Sequence, residues 1–452
     1  MQKFIAKYAL AAHLAVLAVA PLFLSPVWIV WLSLAGAVWL LMEPSKIKGE
    51  GLRAARMRVS RAIVKDPFFW MSVTLLAYAV VVLINSGVSL SYDAENAQWL
   101  MASAQMPLLP ASANGFGASE AAAFLAMTIV VQGCRHALGK NARVAFLITV
   151  SLLSGACALV MTGLLLCSND MVLQLVKCDI SKPQYIGCAF GVYSLASAAA
   201  LSGIFENRWF KNLIFVWIGI IGNVLGAFLF APPAVAFLFA VAHAILFLYS
   251  FVFAFVKMST LAEFKYMVLF LIGLSVATVA AFFVLPEEDL AQKILPWTTG
   301  AFLVPETLEI REILSRVAFD SWYKTPWLGT GLGTFALDIK FNAPESAFII
   351  IPESQSLPLN GYWKILAENG IIGVVLQTLL YGFLVFTFIR RLVSGVKADF
   401  PSPICCAGIL AFAAVALEGL LDCSFLVPGA AVALCSLMAL SAASFPKGKG
   451  DK

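Results

Sequence analysis

VAFLITVSLLSGACALVMTGLLLC, from Val144 to Cys167, runs for 24 residues without a charged side chain. As an α-helix it would be about 36 Å long, against a bilayer hydrocarbon core of about 30 Å. Comparable runs lie on both sides of it. Before it come Phe4 to Phe23, Pro26 to Leu41, Pro67 to Ile84 and Ala118 to Gly133. After it come Tyr185 to Ile204, Leu213 to Phe230, Val235 to Val256, Tyr266 to Leu285, Tyr362 to Phe388, Ile404 to Leu421 and Val427 to Phe445. With 61% hydrophobic and 12% charged residues among 452, the apolar excess is beyond the needs of one soluble core. The fold class this predicts is all-α, a polytopic membrane protein of about twelve transmembrane helices.

Basic residues near span ends are retained in the cytoplasm, so Lys and Arg set the orientation. Lys3 and Lys7, the stretch Lys46 to Lys65, and Arg135, Lys140 and Arg143 fall on one side of the predicted spans. Arg208 with Lys211, Lys257 with Lys265, Arg390 with Arg391 and Lys397, and Lys447, Lys449 and Lys452 fall on that side too. Both termini are then expected in the cytoplasm. The formal charge of +5 follows from this orientation, and the stretch Lys46 to Lys65 reads as a solvated loop near anionic lipid rather than a nucleic-acid site. The first apolar run reads as a span and not a cleaved leader, because its removal would leave the other basic loops needing an odd number of spans. Most of the nine cysteines fall within spans, as small apolar residues. Cys167 and Cys178 bracket a short outer loop, which leaves a disulfide open as an alternative to free thiols.

Three segments follow: residues 1–285, an N-terminal bundle of about nine helices; 286–361, a large outer loop between the ninth and tenth helices; and 362–452, the C-terminal helices and tail. Asn85 to Gly117 is a second, shorter outer loop. The large one holds most of the outward-facing charge and is where function is expected. Within it Pro305 to Lys324 reads as an interfacial helix, with Ile310, Ile313, Leu314 and Val317 at helical spacing. Glu312, Arg316 and Asp320 stand four apart, the spacing of a surface ion-pair ladder, whereas Arg311 has no such ladder. Gly329, Gly331 and Gly333 then alternate. Two readings stay open for them: a backbone that offers N–H groups to an anion, or a tight turn beneath the helix. His243, near the middle of its span, reads as a packing or hydrogen-bonding residue, and Glu418 with Asp422 as functional carboxylates or a helix-packing hydrogen bond.

Arg311, Trp322, Pro326, Gly329, Gly331, Gly333 and Phe335, followed by Asn360, Tyr362, Leu366, Glu368, Gly370 and Gly373, resemble the signature of bacterial O-antigen ligases and polymerases. That family typically has an arginine about fifteen residues before the Pro of a P-x-x-G-x-G-x-G-x-F run, then a His-Asn-x-Tyr stretch opening a helix with Leu-x-Glu-x-Gly. Weaker echoes occur at Gly187, Phe190, Ala196, Asp422, Ser424 and Pro428. The family's histidine falls at Leu359, and its Ser-Arg pair falls where this chain reads Ala231, Pro232, Pro233.

The resemblance implies transfer or polymerisation of an undecaprenyl-pyrophosphate-linked oligosaccharide on the periplasmic face of the bacterial inner membrane. The acceptor would be a glycan, lipid A core or a protein, the other partners membrane lipids, and no metal, cofactor or nucleic acid is called for. On this reading Arg311 is catalytic and binds the donor pyrophosphate, helped by Arg316, Lys324, Gly331 and Gly333, while Asn360, Tyr362 and Glu368 support the motif. With Leu359 at the histidine position, a base is sought among Glu345, Glu353 and Asp422. A catalytically inactive homologue that binds the carrier or scaffolds an assembly, and a lipid-linked glycan transporter or flippase, are the alternative readings.

Overall fold

The computed structural model describes residues 8–44, 51–85, 90–93, 98–101, 110, 116–167, 186–207, 210–256, 305–344, 360–395, 403–421 and 428–442. The apolar run Tyr266 to Leu285, and Cys178, Glu345, Glu353, Leu359 and Asp422, lie outside the described residues.

The elements follow the apolar runs. In chain order they are α1 (Ala9–Val19), α2 (Pro26–Met42), α3 (Leu52–Val64), α4 (Pro67–Ile84), the strands β1 (Leu90–Asp93) and β2 (Gln98–Met101), α5 (Phe116–Gln132), α6 (Lys140–Cys167), α7 (Ile186–Asn207), α8 (Leu213–Phe230) and α9 (Pro233–Val256). Then come α10 (Pro305–Lys324), α11 (Phe335–Asn342), α12 (Gly361–Gly395), α13 (Pro403–Leu421) and α14 (Pro428–Ala442). Five helical stretches are long and apolar enough to cross a membrane: Pro67–Ile84, Gly117–Ala137, Asn141–Gly163, Leu213–Phe230 and Gly361–Arg390. Shorter apolar helices include Ala9–Leu22, Pro26–Met42 and Ile186–Leu201. The chain is a helical membrane protein.

Two local features depart from the sequence expectation. The stretch Lys46 to Lys65, expected as a solvated loop, contains α3: Ala55, Val59 and Ile63 recur every four residues and are buried, while Arg53 and Arg61 are exposed. Short spacing of small apolar residues between arginines hid an amphipathic helix in what read as a charge run. The segment Asn85 to Gly117 contains an antiparallel hairpin, with Leu90 opposite Met101 and Asp93 opposite Gln98, so the all-α expectation holds for the bundle and not for this segment.

Lipid tails are as apolar as the helices, so helix association there relies on close packing and interhelical hydrogen bonds. At the crossing of α6 and α8 a Cβ on Gly155 would lie 2.5 Å from the Gly219 Cα. Beside it the Ser151 hydroxyl donates to the Ser197 hydroxyl at 2.8 Å, and the Asn223 amide donates to that same oxygen at 3.2 Å, joining α6, α7 and α8. His243 sits 3.0 Å from the Ser194 hydroxyl and 2.6 Å from the Phe239 carbonyl, a hydrogen-bonded interior histidine.

Candidate functional site

The site begins with two chain segments that close on one another. α10 lays Leu314, Val317 and Ala318 against Phe335 and Ile339 of α11 and Ala367 of α12. Between α10 and α11 the chain turns through Gly329, Gly331 and Gly333, each with positive φ. The turn locks onto α12 backbone to backbone. Thr330 N–H donates to the Ala367 carbonyl and Gly331 N–H to the Glu368 carbonyl, both at 2.9 Å. In return Ile371 N–H donates to the Pro326 carbonyl at 2.9 Å and Ile372 N–H to the Trp327 carbonyl at 3.1 Å.

This reciprocal clip requires glycine at two places. Gly370 breaks α12 with φ 60° and ψ −169°, which releases carbonyls and amides from the helix ladder for the turn to bind. A Cβ on Gly370 would lie 2.5 Å from the Trp327 backbone, and one on Gly329 would lie 2.4 Å from that of Glu368. Of the two readings left open for the glycines, the tight turn is what the described backbone forms. Gly331 cannot offer its amide to a pyrophosphate in this conformation, because the Glu368 carbonyl holds it.

The expected cations are not gathered. Arg311 is half-buried, with its Nε enclosed. Arg316 lies about 140° around α10 from Arg311, from five residues at 3.6 per turn. It pairs instead with Glu312 at 3.2 Å, both about three-quarters exposed. Lys324 is about 20 Å further along α10 than Arg311 and donates to the Asn342 side chain. The three cations are thus spread along and around α10, and one pyrophosphate cannot touch all of them at once. Asn360 caps α12, its side-chain oxygen accepting from Tyr362 N–H at 3.0 Å and Trp363 N–H at 3.2 Å. The Tyr362 hydroxyl donates to the Ala416 carbonyl of α13.

Glu368 does more than support the start of its own helix. Its Oε1 accepts the Phe335 N–H at 3.2 Å, which caps α11 from a neighbouring element. Its Oε2 lies 3.1 Å from Lys364 Nζ, and the same ammonium donates to Glu120 Oε1 at 2.7 Å. The three side chains are buried, 1%, 6% and 15% exposed for Glu368, Lys364 and Glu120. One cation between two carboxylates leaves a formal charge of −1 where α5 meets α12. A cleft of about 490 Å³, its open mouth included, is lined by this triad with Asn369, Gln377 and Tyr381.

Lys364 and Glu120 are not among the residues that the sequence pattern singles out. Lys364 and Glu368 are four apart at the start of an apolar run, and Glu120 opens another; charges so placed were the available signal.

Asp338 of α11 is also new. It accepts from the Thr330 hydroxyl at 3.1 Å. Burial pushes its carboxyl up to about 6, against the opposing pull of hydrogen bonds from Thr330 and Ser321 and of the Lys324 charge. Around this end of the molecule Phe319, Tyr323, Trp327 and Tyr362 are exposed, the side chains favoured at a membrane–water boundary. The Tyr78 hydroxyl of α4 donates to the Leu328 carbonyl, and Leu332 packs against Ala79, Val82 and Ala121, which anchors the turn to the ends of α4 and α5.

No protein-family model and no curated protein matches the chain. Among the described residues no group of three or more His, Cys, Asp or Glu side chains is placed to hold a metal ion.

Proposed function

We propose that this protein transfers a glycan from an undecaprenyl-pyrophosphate carrier to an acceptor, as a ligase or polymerase, on the periplasmic face of the bacterial inner membrane. In this reading the chain crosses about twelve times with both termini cytoplasmic. The observation that supports it most is the interlocking of the two motif segments, through Gly329 and Gly370, beside a polar cleft at an aromatic-rimmed end of the bundle.

An acceptor hydroxyl oxygen attacks the anomeric carbon of the donor sugar as the bond from that carbon to the pyrophosphate oxygen breaks. The pyrophosphate leaves with the electron pair, and the half-buried Arg311 on the interfacial helix stabilises it through its planar fork. The hydroxyl proton passes to a carboxylate. Glu120, on the cleft wall, takes it, since Leu359 leaves no histidine at the family position.

A second reading, a carrier-binding scaffold without turnover, draws on Leu359 and on the engaged Gly331 amide. Arg311→Ala in lipid nanodiscs distinguishes part of this. It should weaken binding of undecaprenyl pyrophosphate at least tenfold while the unfolding midpoint stays within a few degrees. Unchanged binding removes Arg311 from the proposal. A reporter fused after Asn342 should read periplasmic; a cytoplasmic reading overturns the orientation and the transfer site with it.

A further inference from the structure

The cleft beside the Glu120–Lys364–Glu368 triad contains hydrogen-bonding capacity that the protein does not use. Asn369 and Gln377 line it, are 6% and 8% exposed, and make no hydrogen bond among the described residues. Their amide atoms open into the cleft instead of being enclosed, so they are placed to bond a polar occupant. Gln377 lies about 10 Å along α12 from Gly370 and lines the cleft with Glu368 and Tyr381.

The lining selects the kind of occupant. Glu120 and Glu368 offer acceptor oxygens, while each of the two amides offers an acceptor and a pair of donors. Lys364, the one cation of the described lining, is already engaged by Glu120 and Glu368, so that lining offers no free cation to a pyrophosphate, which belongs elsewhere. Ala123, Phe124 and Met127 add apolar lining on the α5 side, next to Glu120. A neutral ring carrying hydroxyls on its edge and C–H groups on its face satisfies both kinds of lining at once.

We infer that this cleft is a saccharide subsite that receives the hydroxylated edge of one neutral sugar residue, with Gln377, Asn369 and Glu120 as its hydrogen-bonding partners. The inference deepens the transfer reading and rests on it for the carrier that delivers the sugar.

The test is saturation-transfer NMR on the full chain in nanodiscs, with the methyl glycosides of glucose, galactose, rhamnose and N-acetylglucosamine as probes. At least one glycoside should give saturation transfer at millimolar concentration, and Gln377→Leu should weaken it at least tenfold. Gln377→Asn should retain part of the signal. Ala123→Leu, which fills the cleft by volume and leaves every polar group in place, should abolish the signal and decides the matter if Gln377→Leu does not fold. No signal from any glycoside, or a signal that survives Ala123→Leu, overturns the subsite. Binding of sugar-free undecaprenyl pyrophosphate is measured in parallel. Carrier binding without sugar binding overturns the subsite and leaves the transfer reading standing, whereas sugar binding without carrier binding supports the subsite and sinks the transfer reading.

Discussion

The α4–α5 pair carries a polar cluster at each end, and the two clusters are built on opposite plans. At one end stands Asp66, a single buried carboxylate surrounded by donors. Phe68 N–H and Gln132 reach it at 3.1 Å and 3.3 Å, His136 Nε2 lies 2.9 Å away and Arg135 3.3 Å away. The guanidinium of Arg135 also lies over the Phe383 ring, 5.1 Å from its centre. At the other end, about 20 Å away along α5, a single ammonium, Lys364, is shared by two carboxylates. Donors outnumber the carboxylate at the first end, and acceptors outnumber the cation at the second. The first cluster ties α4 to α5 and α12 and leaves Gln132 Oε1 and one Arg135 nitrogen enclosed without a hydrogen bond among the described residues, while the second opens the Asn369 and Gln377 amides into a cleft. Both ends combine ion pairs that hold helices together with hydrogen-bonding capacity left over, and the second presents that capacity to a cleft, where a ligand can bind.

Removing one member of each cluster should show the contrast in size. Lys364→Met leaves two buried carboxylates without their counter-ion and should cost roughly 3–5 kcal/mol, read as a fall in the unfolding midpoint. Adding Glu368→Gln should recover part of it, and a Lys364→Met protein as stable as the parent would mean that the triad is not a buried ion cluster.

Asp66→Asn should cost about 3 kcal/mol, since it leaves the Arg135 charge without its partner, although the Asn oxygen can still cap α4. Here the pH dependence sharpens the comparison. Burial pushes the Asp66 carboxyl up, but the His136 hydrogen bond, the Arg135 and His136 charges and the Phe68 N–H together outweigh it and hold the carboxyl below its usual range. A carboxyl lowered on folding stabilises the protein above its unfolded value of about 4 and loses that contribution as pH falls through the folded value. The parent should therefore show an acid-dependent loss of stability below about pH 4 that Asp66→Asn lacks.

Asp338 should behave in the reverse sense. Its carboxyl is raised from 3.8 to about 6, so its contribution is present in full below about pH 4 and is lost as pH rises towards 6. Asp338→Asn should match the parent near pH 4 and exceed it in stability at pH 7 by at most about 3 kcal/mol, measured by denaturant unfolding in micelles at both pH values. Equal stability at both would remove the burial from the explanation. The smallest effect belongs to Arg316→Ala. Its partner Glu312 is as exposed as it is, and the change should move stability by under about 1 kcal/mol and leave carrier binding unaltered.

Much of the bundle was legible because hydrocarbon demands long apolar helices, and Leu213 to Phe230 or Pro67 to Ile84 can be read residue for residue from that demand. The helix Pro305–Lys324 was legible too, from Ile310, Ile313, Leu314 and Val317. Position along the chain does not reveal which polar groups meet. Glu120 is separated from Lys364 by 244 residues, and no local pattern announces their contact. The three glycines are legible as a turn, but the partner that makes them necessary is a kink at Gly370, forty-one residues after Gly329. Arg316 and Lys324 show the opposite case: near Arg311 in sequence, they are spread away from it by helical pitch.

Turnover tests the proposed transfer most directly. Purified protein is reconstituted with an undecaprenyl-pyrophosphate oligosaccharide and an acceptor, both supplied on the side that carries the glycine clip, and free undecaprenyl pyrophosphate is followed over time. Transfer requires one carrier pyrophosphate released for each glycan joined to the acceptor, with Arg311→Ala abolishing both. A donor that binds and stays intact, with no carrier released, would contradict it.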